Sequence, residues 1–204
     1  MKDDTTPLPD HQGGALARGA RVTLRYPRFE DQGEYVELVR VSRELHRPWE
    51  PRRPEGAPLA ASQETFMAWL AGADDPRTER MLLCKRADGA IVGRFHLNEI
   101  VRGAFRSAYM SYWVGAPFAG QGLMREGMEL VLEHAFNAVG LHRVEANIQP
   151  TNAPSIALAK GAGFRLEGYS ERYLKIAGEW ADHERWAMTV EDWRERASAS
   201  DPSS

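Results

Sequence analysis

Apolar and polar residues alternate from Arg21 to Tyr26, which predicts a strand, and from Asp31 the period lengthens to that of a helix carrying Tyr35, Leu38, Val39 and Leu45. A proline-laden loop, His46 to Pro58, leads to a second helix that Ser62 can cap; Phe66, Met67, Trp69 and Leu70 supply its apolar positions, and it ends near Gly72. Glu79 to Arg86 and Ala90 to Val101 read as strands joined at Asp88-Gly89, a two-residue hairpin signal that makes the pair antiparallel. Ser107 to Val114 and His142 to Gln149 are strands separated by a long helix. Met124, Met128, Val131, Leu132, Ala135 and Val139 form its apolar face, and Gly140 ends it. A short helix, Ser155 to Ala162, precedes two last strands, Phe164 to Ile176 and Glu179 to Val190, that turn at Ala177-Gly178.

Strand, crossover helix, strand implies a parallel, right-handed unit. With the hairpins it requires an α/β (α+β) fold: a mixed, mostly antiparallel sheet of seven strands flanked by helices, with one parallel strand-helix-strand unit. Within that unit the loop Pro117-Phe118-Ala119-Gly120-Gln121-Gly122-Leu123-Met124 lies between strand and helix. Gly120 and Gly122 tolerate backbone angles closed to other residues and admit a ligand close to the main chain. The helix N-terminus behind them carries roughly half a positive charge, so the loop is suited to a pyrophosphate.

Composition narrows the classes. The chain has 204 residues, 43% hydrophobic and 27% charged, which suits one domain with a substantial core. That domain is expected over 19–196, between flexible tails at 1–18 and 197–204 that are rich in Pro, Gly, Ser and Asp. Net charge is −3 with scattered basic residues, so no direct nucleic-acid contact is expected. The single cysteine, Cys84, excludes an internal disulfide framework and sits in an apolar run that predicts burial. Neither a signal peptide nor a run of ~20 apolar residues is visible, so the expectation is a cytoplasmic protein without membrane contact.

The order strand, glycine loop, helix, strand, Asn-x-x-Ser, short helix, Gly-Phe resembles the GNAT superfamily of acetyl-CoA-dependent N-acetyltransferases from about Arg21 to Trp193. Further blocks resemble the RimJ and RimL type of ribosomal-protein-alanine N-acetyltransferase. They are His46-Arg47-Pro48-Trp49-Glu50-Pro51, Leu141-His142-Arg143, Glu167-Gly168-Tyr169, and Tyr173-Leu174-Lys175-Ile176 followed by Gly178, Trp180, Asp182 and His183. The resemblance implies acetyl-CoA as co-substrate, no metal, and a protein or peptide N-terminus as acceptor, possibly that of a ribosomal protein, in a monomer or homodimer.

By that resemblance, main-chain amides of Phe118, Ala119, Gly120, Gln121, Gly122, Leu123 and Met124 bind the coenzyme A pyrophosphate; Pro117 has no amide to give. Main-chain groups of Tyr112, Trp113 and Val114 meet the pantetheine arm and the acetyl carbonyl, while the Tyr112 and Trp113 side chains have sheet packing as their ordinary role. Asn152 contacts the cofactor. Ser155 is either a helix cap or the general acid, because Ala159 stands where many relatives place a tyrosine. Trp49 and Glu50 help wall the acceptor site.

Glu99 and Glu171 are the candidate bases, each with a solvated surface carboxylate as its alternative. An α-amine titrates near ~8 and a lysine amine near ~10.4, so an N-terminal acceptor is about 3 kcal/mol easier to deprotonate and needs only a modest base. Two rivals use the same scaffold: acetylation of a small-molecule amine or antibiotic, and acyl-CoA sensing without catalysis.

Overall fold

The structure, a computed structural model, describes residues 14–72 and 75–199. Eight strands form one sheet: β1 (Ala15–Arg18), β2 (Val22–Arg25), β3 (Glu79–Lys85), β4 (Ile91–Val101), β5 (Ser107–Val114), β6 (Arg143–Ile148), β7 (Arg165–Ile176) and β8 (Glu179–Thr189), in the order β1-β2-β3-β4-β5-β6-β8-β7. Every pairing is antiparallel except β5 with β6. The mixed sheet with one parallel unit is therefore as expected, with one strand more than the seven predicted.

That extra strand corrects the expected N-terminal tail. Ala15–Arg18 pairs with β2 across a turn closed by Gly19 N–H to Val22 O at 2.9 Å. A four-residue edge strand with no buried position has no apolar alternation by which to be read. The rest of that segment, 1–13, lies outside the described residues. At the other end the last helix continues past residue 196 to Ala199, and 200–204 lie outside the description.

The helices are α1 (Gln32–Val41), α2 (Arg43–His46), α3 (Gln63–Ala71), α4 (Leu123–Glu133), α5 (Ala153–Gly161) and α6 (Val190–Ala199). Ser62 caps α3, accepting the Thr65 amide at 3.1 Å. The helix predicted from Asp31 through Leu45 is two pieces. It breaks at Ser42, a fully buried residue whose hydroxyl accepts the Ala116 amide at 2.8 Å, and Leu45 is left exposed. The helix predicted to run to Val139 widens after Glu133 into a π turn, with Val139 N–H reaching His134 O at 3.0 Å, before Gly140 takes φ +74°.

Two cores lie on opposite faces of the sheet. Val22, Leu24, Met81, Leu83, Phe95 and Met110 pack with Met128, Val131 and Leu132 of α4. On the other face Tyr35, Leu38 and Phe66 pack with Leu82, Ile91 and Trp113. Tyr26, Glu79 and His134 are buried together, with Tyr26 Oη donating to Glu79 Oε2 at 2.7 Å and His134 Nε2 3.3 Å from the same oxygen. Cys84 is buried as expected, its thiol pushed up to about 11 by that burial.

Candidate active site

The parallel pairing of β5 with β6 covers only Ser107↔Arg143, Ala108↔Val144 and Tyr109↔Glu145; beyond Tyr109 the strands part. Backbone parity shows which groups line the gap. Gly115 N–H donates to Val92 O at 2.8 Å, and the Trp113 carbonyl lies so close to Gly93 that a Cβ there would collide with it. Residues 113 and 115 thus turn their peptide groups toward β4, and Tyr112 and Val114 turn theirs toward the gap. Of the three residues expected to present main chain, Tyr112 and Val114 do so, and Trp113 faces β4. The Val114 carbonyl is met by His46 Nε2–H at 2.7 Å. Burial holds the His46 imidazole below its ordinary value, so the ring is a neutral donor.

The loop after β5 has two parts. Ala116–Phe118 is a tight 3₁₀ turn in which Phe118 N–H reaches Gly115 O at 2.9 Å and Ala119 N–H reaches Ala116 O at 3.3 Å, so these two amides are engaged within the turn. Gly120 and Gly122 then both adopt φ +73°, the left-handed region in which an L side chain is strained. Gly122 is the N-cap of α4, and the first amide in its ladder is that of Glu126, donated to Gly122 O at 3.4 Å. Helix geometry leaves the preceding amides, including Gly122, Leu123 and Met124, outside the ladder.

A residue not singled out from the sequence aims them. Arg21 Nη1 and Nη2 donate to the carbonyls of Gln121 and Gly122, each at 3.1 Å, and its Nε pairs with Glu126 Oε2 at 3.0 Å. In a trans peptide C=O and N–H point in opposite directions, so holding these two carbonyls turns the Gly122 and Leu123 amides away from Arg21. The left-handed Gly120 and Gly122, on either side of Gln121, and the outward amides leave a concavity lined by N–H groups, a geometry suited to an anion. This fits a pyrophosphate on local geometry alone.

Across the gap stands the N-terminus of α5. Asn152 caps it, its Oδ1 accepting the Ser155 amide at 3.3 Å. The Asn152 side chain is thus engaged by its own helix. Ser155 Oγ lies 2.6 Å from Tyr112 Oη, which also donates to the Ser155 carbonyl at 3.2 Å, so a side chain from β5 reaches over the opening to α5. Burial pushes the Tyr112 phenol up to about 12. Ala159 is fully buried in the core below.

The remaining candidates are placed as follows. Glu99 sits in a bulge of β4 with φ +50°, its side chain exposed near Arg77. Glu171 lies in a bulge of β7, exposed, 4.0 Å from Arg172. Trp49 is half-buried and Glu50 exposed, and the Glu50 carbonyl accepts Ala177 N–H at 3.1 Å, tying this loop to the β7–β8 turn. His183 is buried against Ala181 O and the Tyr173 ring. Among the described residues no cluster of three His, Cys, Asp or Glu could hold a metal, and no helix is long and apolar enough to cross a membrane.

Residues 21–165 match the model of the acetyltransferase (GNAT) domain. The chain belongs to this family and is an N-acetyltransferase. It is 30% identical over 184 residues to the [Ribosomal protein uS5]-alanine N-acetyltransferase of Escherichia coli K12, covering 85% of this chain and 90% of that one. Among solved structures it is similar to Mycobacterium smegmatis RimJ in complex with CoA-disulfide, at 31% identity and a TM-score of 0.78, over 87% of this chain and 88% of that one. The ribosomal-protein-S5-alanine acetyltransferase of Vibrio fischeri, at 23% identity and a TM-score of 0.76 over 87% and 97%, shares the fold.

Proposed function

We propose that this enzyme transfers acetyl from acetyl-CoA to the α-amine of a protein whose first residue is alanine, and that the protein is ribosomal. The observation that carries this reading is the near full-length similarity to an enzyme named for alanine acetylation of a ribosomal protein. The site supports it. Amides from Gly120 to Met124 receive the pyrophosphate, with Gly122 and Leu123 aimed by Arg21. The inward-facing Tyr112 and Val114 amides meet the polar groups of the arm and the acetyl carbonyl, where an aimed N–H stabilises the developing oxyanion.

The loop carrying Trp49 and Glu50 walls the acceptor side, held to the β7–β8 turn through Ala177. Direct attack by a neutral amine forms the N–C bond as the C–S bond breaks; Ser155 gives its Oγ proton to the departing sulfur as the proton released by the acylated nitrogen replaces it, so the hydroxyl is restored. Both candidate bases, Glu99 and Glu171, lie on solvated bulges. That suits an acceptor with an amine pKa near ~8, which sheds its proton to water or a weak base.

The test is incubation of the purified protein with acetyl-CoA and peptides that differ only in their first residue, beside small amines and aminoglycosides. Mass analysis should find one acetyl group on the α-amine of Ala-starting peptides. Turnover confined to the small amines would overturn the proposal.

A further inference from the structure

We infer that Arg185 binds the acceptor: the free edge of its guanidinium, facing a polar cavity beside the gap between β5 and β6, donates to a main-chain carbonyl of the peptide being acetylated. The inference rests on the peptide acceptor proposed above, and adds how the site tells a peptide N-terminus from a plain amine.

Sheet parity gives the place. Val144, Ala146 and Ile148 face the core that α4 covers, so Arg143, Glu145 and Asn147 face the other side, with Tyr109 and Trp113. The pyrophosphate loop proposed above opens α4, and Ile156 and Leu158 of α5 pack on the same core, so the acceptor meets the thioester from the opposite face. On that face the second core holds no residue of β6, β7 or β8. Arg185 stands level with Asn147 on the strand next to β6, and the bond from Ala177 N–H to Glu50 O closes the far end.

Charges on this face are paired. Glu145, only 6% exposed, accepts Arg143 Nε at 2.8 Å and Arg185 Nη2 at 3.0 Å. The other two nitrogens of Arg143 donate to Glu167, so each of its nitrogens is engaged and the cluster of two arginines and two glutamates is neutral. Arg185 keeps donors to spare. Its side chain is 36% exposed, and among the described residues Nη1 has no partner. Its guanidinium carbon lies 5.5 Å from the centre of the Tyr173 ring, which is set against buried His183, so the fork is held at one edge and on one face before any ligand arrives.

Arg143 and Arg185 form one wall of a cavity of about 240 Å³, and the segment from Glu167 to Ser170 forms the other. Gly168 pairs with Arg185 across β7 and β8, and a Cβ on it would meet nothing within 4 Å. Neither packing nor a positive φ requires glycine there; its effect is room opposite the guanidinium. Unpaired arginines would call for an anion, whereas a neutral cluster with a spare N–H edge suits a neutral hydrogen-bond acceptor. A peptide offers such a carbonyl roughly every 3.5 Å along its chain, and a plain amine offers none.

The experiment uses the full chain, acetyl-CoA and an Ala-starting peptide. Arg185→Lys keeps a charge for Glu145 but loses the planar fork. It should raise KM for the peptide roughly 5- to 30-fold, as expected for one hydrogen bond from a charged group, and leave kcat and KM for acetyl-CoA within about twofold. Gly168→Leu leaves every ion pair in place and fills the cavity; it should raise the peptide KM by a similar factor with the urea midpoint of wild type. Replacing the carbonyl oxygen of the first or second peptide residue by sulfur weakens it as an acceptor. At one of the two positions this should raise KM with wild type and not with Arg185→Lys.

Should one variant fold poorly, the other decides. A fall in stability and kcat with Arg185→Lys beside wild-type kinetics for Gly168→Leu would mean that Arg185 only holds Glu145, and would overturn the inference. So would thioamide effects equal in wild type and Arg185→Lys. Turnover of small amines alone by wild type sinks the peptide reading and this inference with it; turnover of Ala-starting peptides with a KM indifferent to both variants sinks this inference alone.

Discussion

Arg21 and Glu126 are joined at 3.0 Å between Nε and Oε2, while Glu126 Oε1 accepts the Arg21 amide at 2.7 Å, so a single carboxylate clamps both ends of the arginine. The two guanidinium NH groups are left to hold the carbonyls of Gln121 and Gly122. A residue just before β2 thereby sets the orientation of a loop about a hundred positions later.

Arg21→Ala should therefore raise KM for acetyl-CoA by roughly 5- to 30-fold with a smaller effect on kcat. Charge-assisted bonds of this kind contribute about 1–2 kcal/mol when partly solvated, and their loss frees the loop rather than the chemistry. Steady-state kinetics at saturating acceptor checks it. Glu126→Gln should move KM in the same direction.

Gly122→Ala should destabilise the fold by about 1–2 kcal/mol and weaken coenzyme A binding, because φ +73° strains any L residue. A Cβ there would meet Arg21 Nη2 at an ordinary 3.5 Å, so the cost is conformational rather than steric. Urea unfolding together with calorimetric titration of coenzyme A separates the two losses.

His96 is held well below the ordinary imidazole value by burial, with Arg94 and Arg80 adding to it, and its Nε2 accepts the Trp69 indole N–H at 2.8 Å. An imidazole depressed in the folded state binds its proton more readily when unfolded. Stability is thus fully present above the unfolded pKa of ~6.5 and falls as pH drops below it, by up to ~1.4 kcal/mol per pH unit. His46 adds a smaller effect of the same sign because it is more solvated. Urea melts from pH 7.5 to 5 should show this slope, and His96→Gln should flatten it.

Tyr26→Phe removes a donor from the buried Glu79 carboxylate and should cost about 1–3 kcal/mol of stability. KM for acetyl-CoA should stay within about twofold of wild type. Thermal melts and kinetics on the same preparation check both halves.

Much of this protein is legible in its linear order. The alternation of Val144, Ala146 and Ile148 with Arg143, Glu145 and Asn147 reports one buried and one polar sheet face. The two glycines before an amphipathic helix report a left-handed loop at a helix N-terminus, because helix periodicity and glycine's backbone freedom are local properties. What was not legible depends on groups distant in the chain. β1 has no buried position, the break at Ser42 exists because its hydroxyl meets Ala116, and the aim of the loop amides is set by Arg21.

The order of residues therefore determined strands β2 to β8, the parallel unit and the family, since each follows from local patterns along the chain. Tertiary structure alone decided that β5 and β6 separate after Tyr109, that Trp113 turns its main chain away from the opening, and that Tyr112 reaches Ser155. Register and hydrogen bonding between strands are set when distant segments pack, and no periodicity within one segment encodes them.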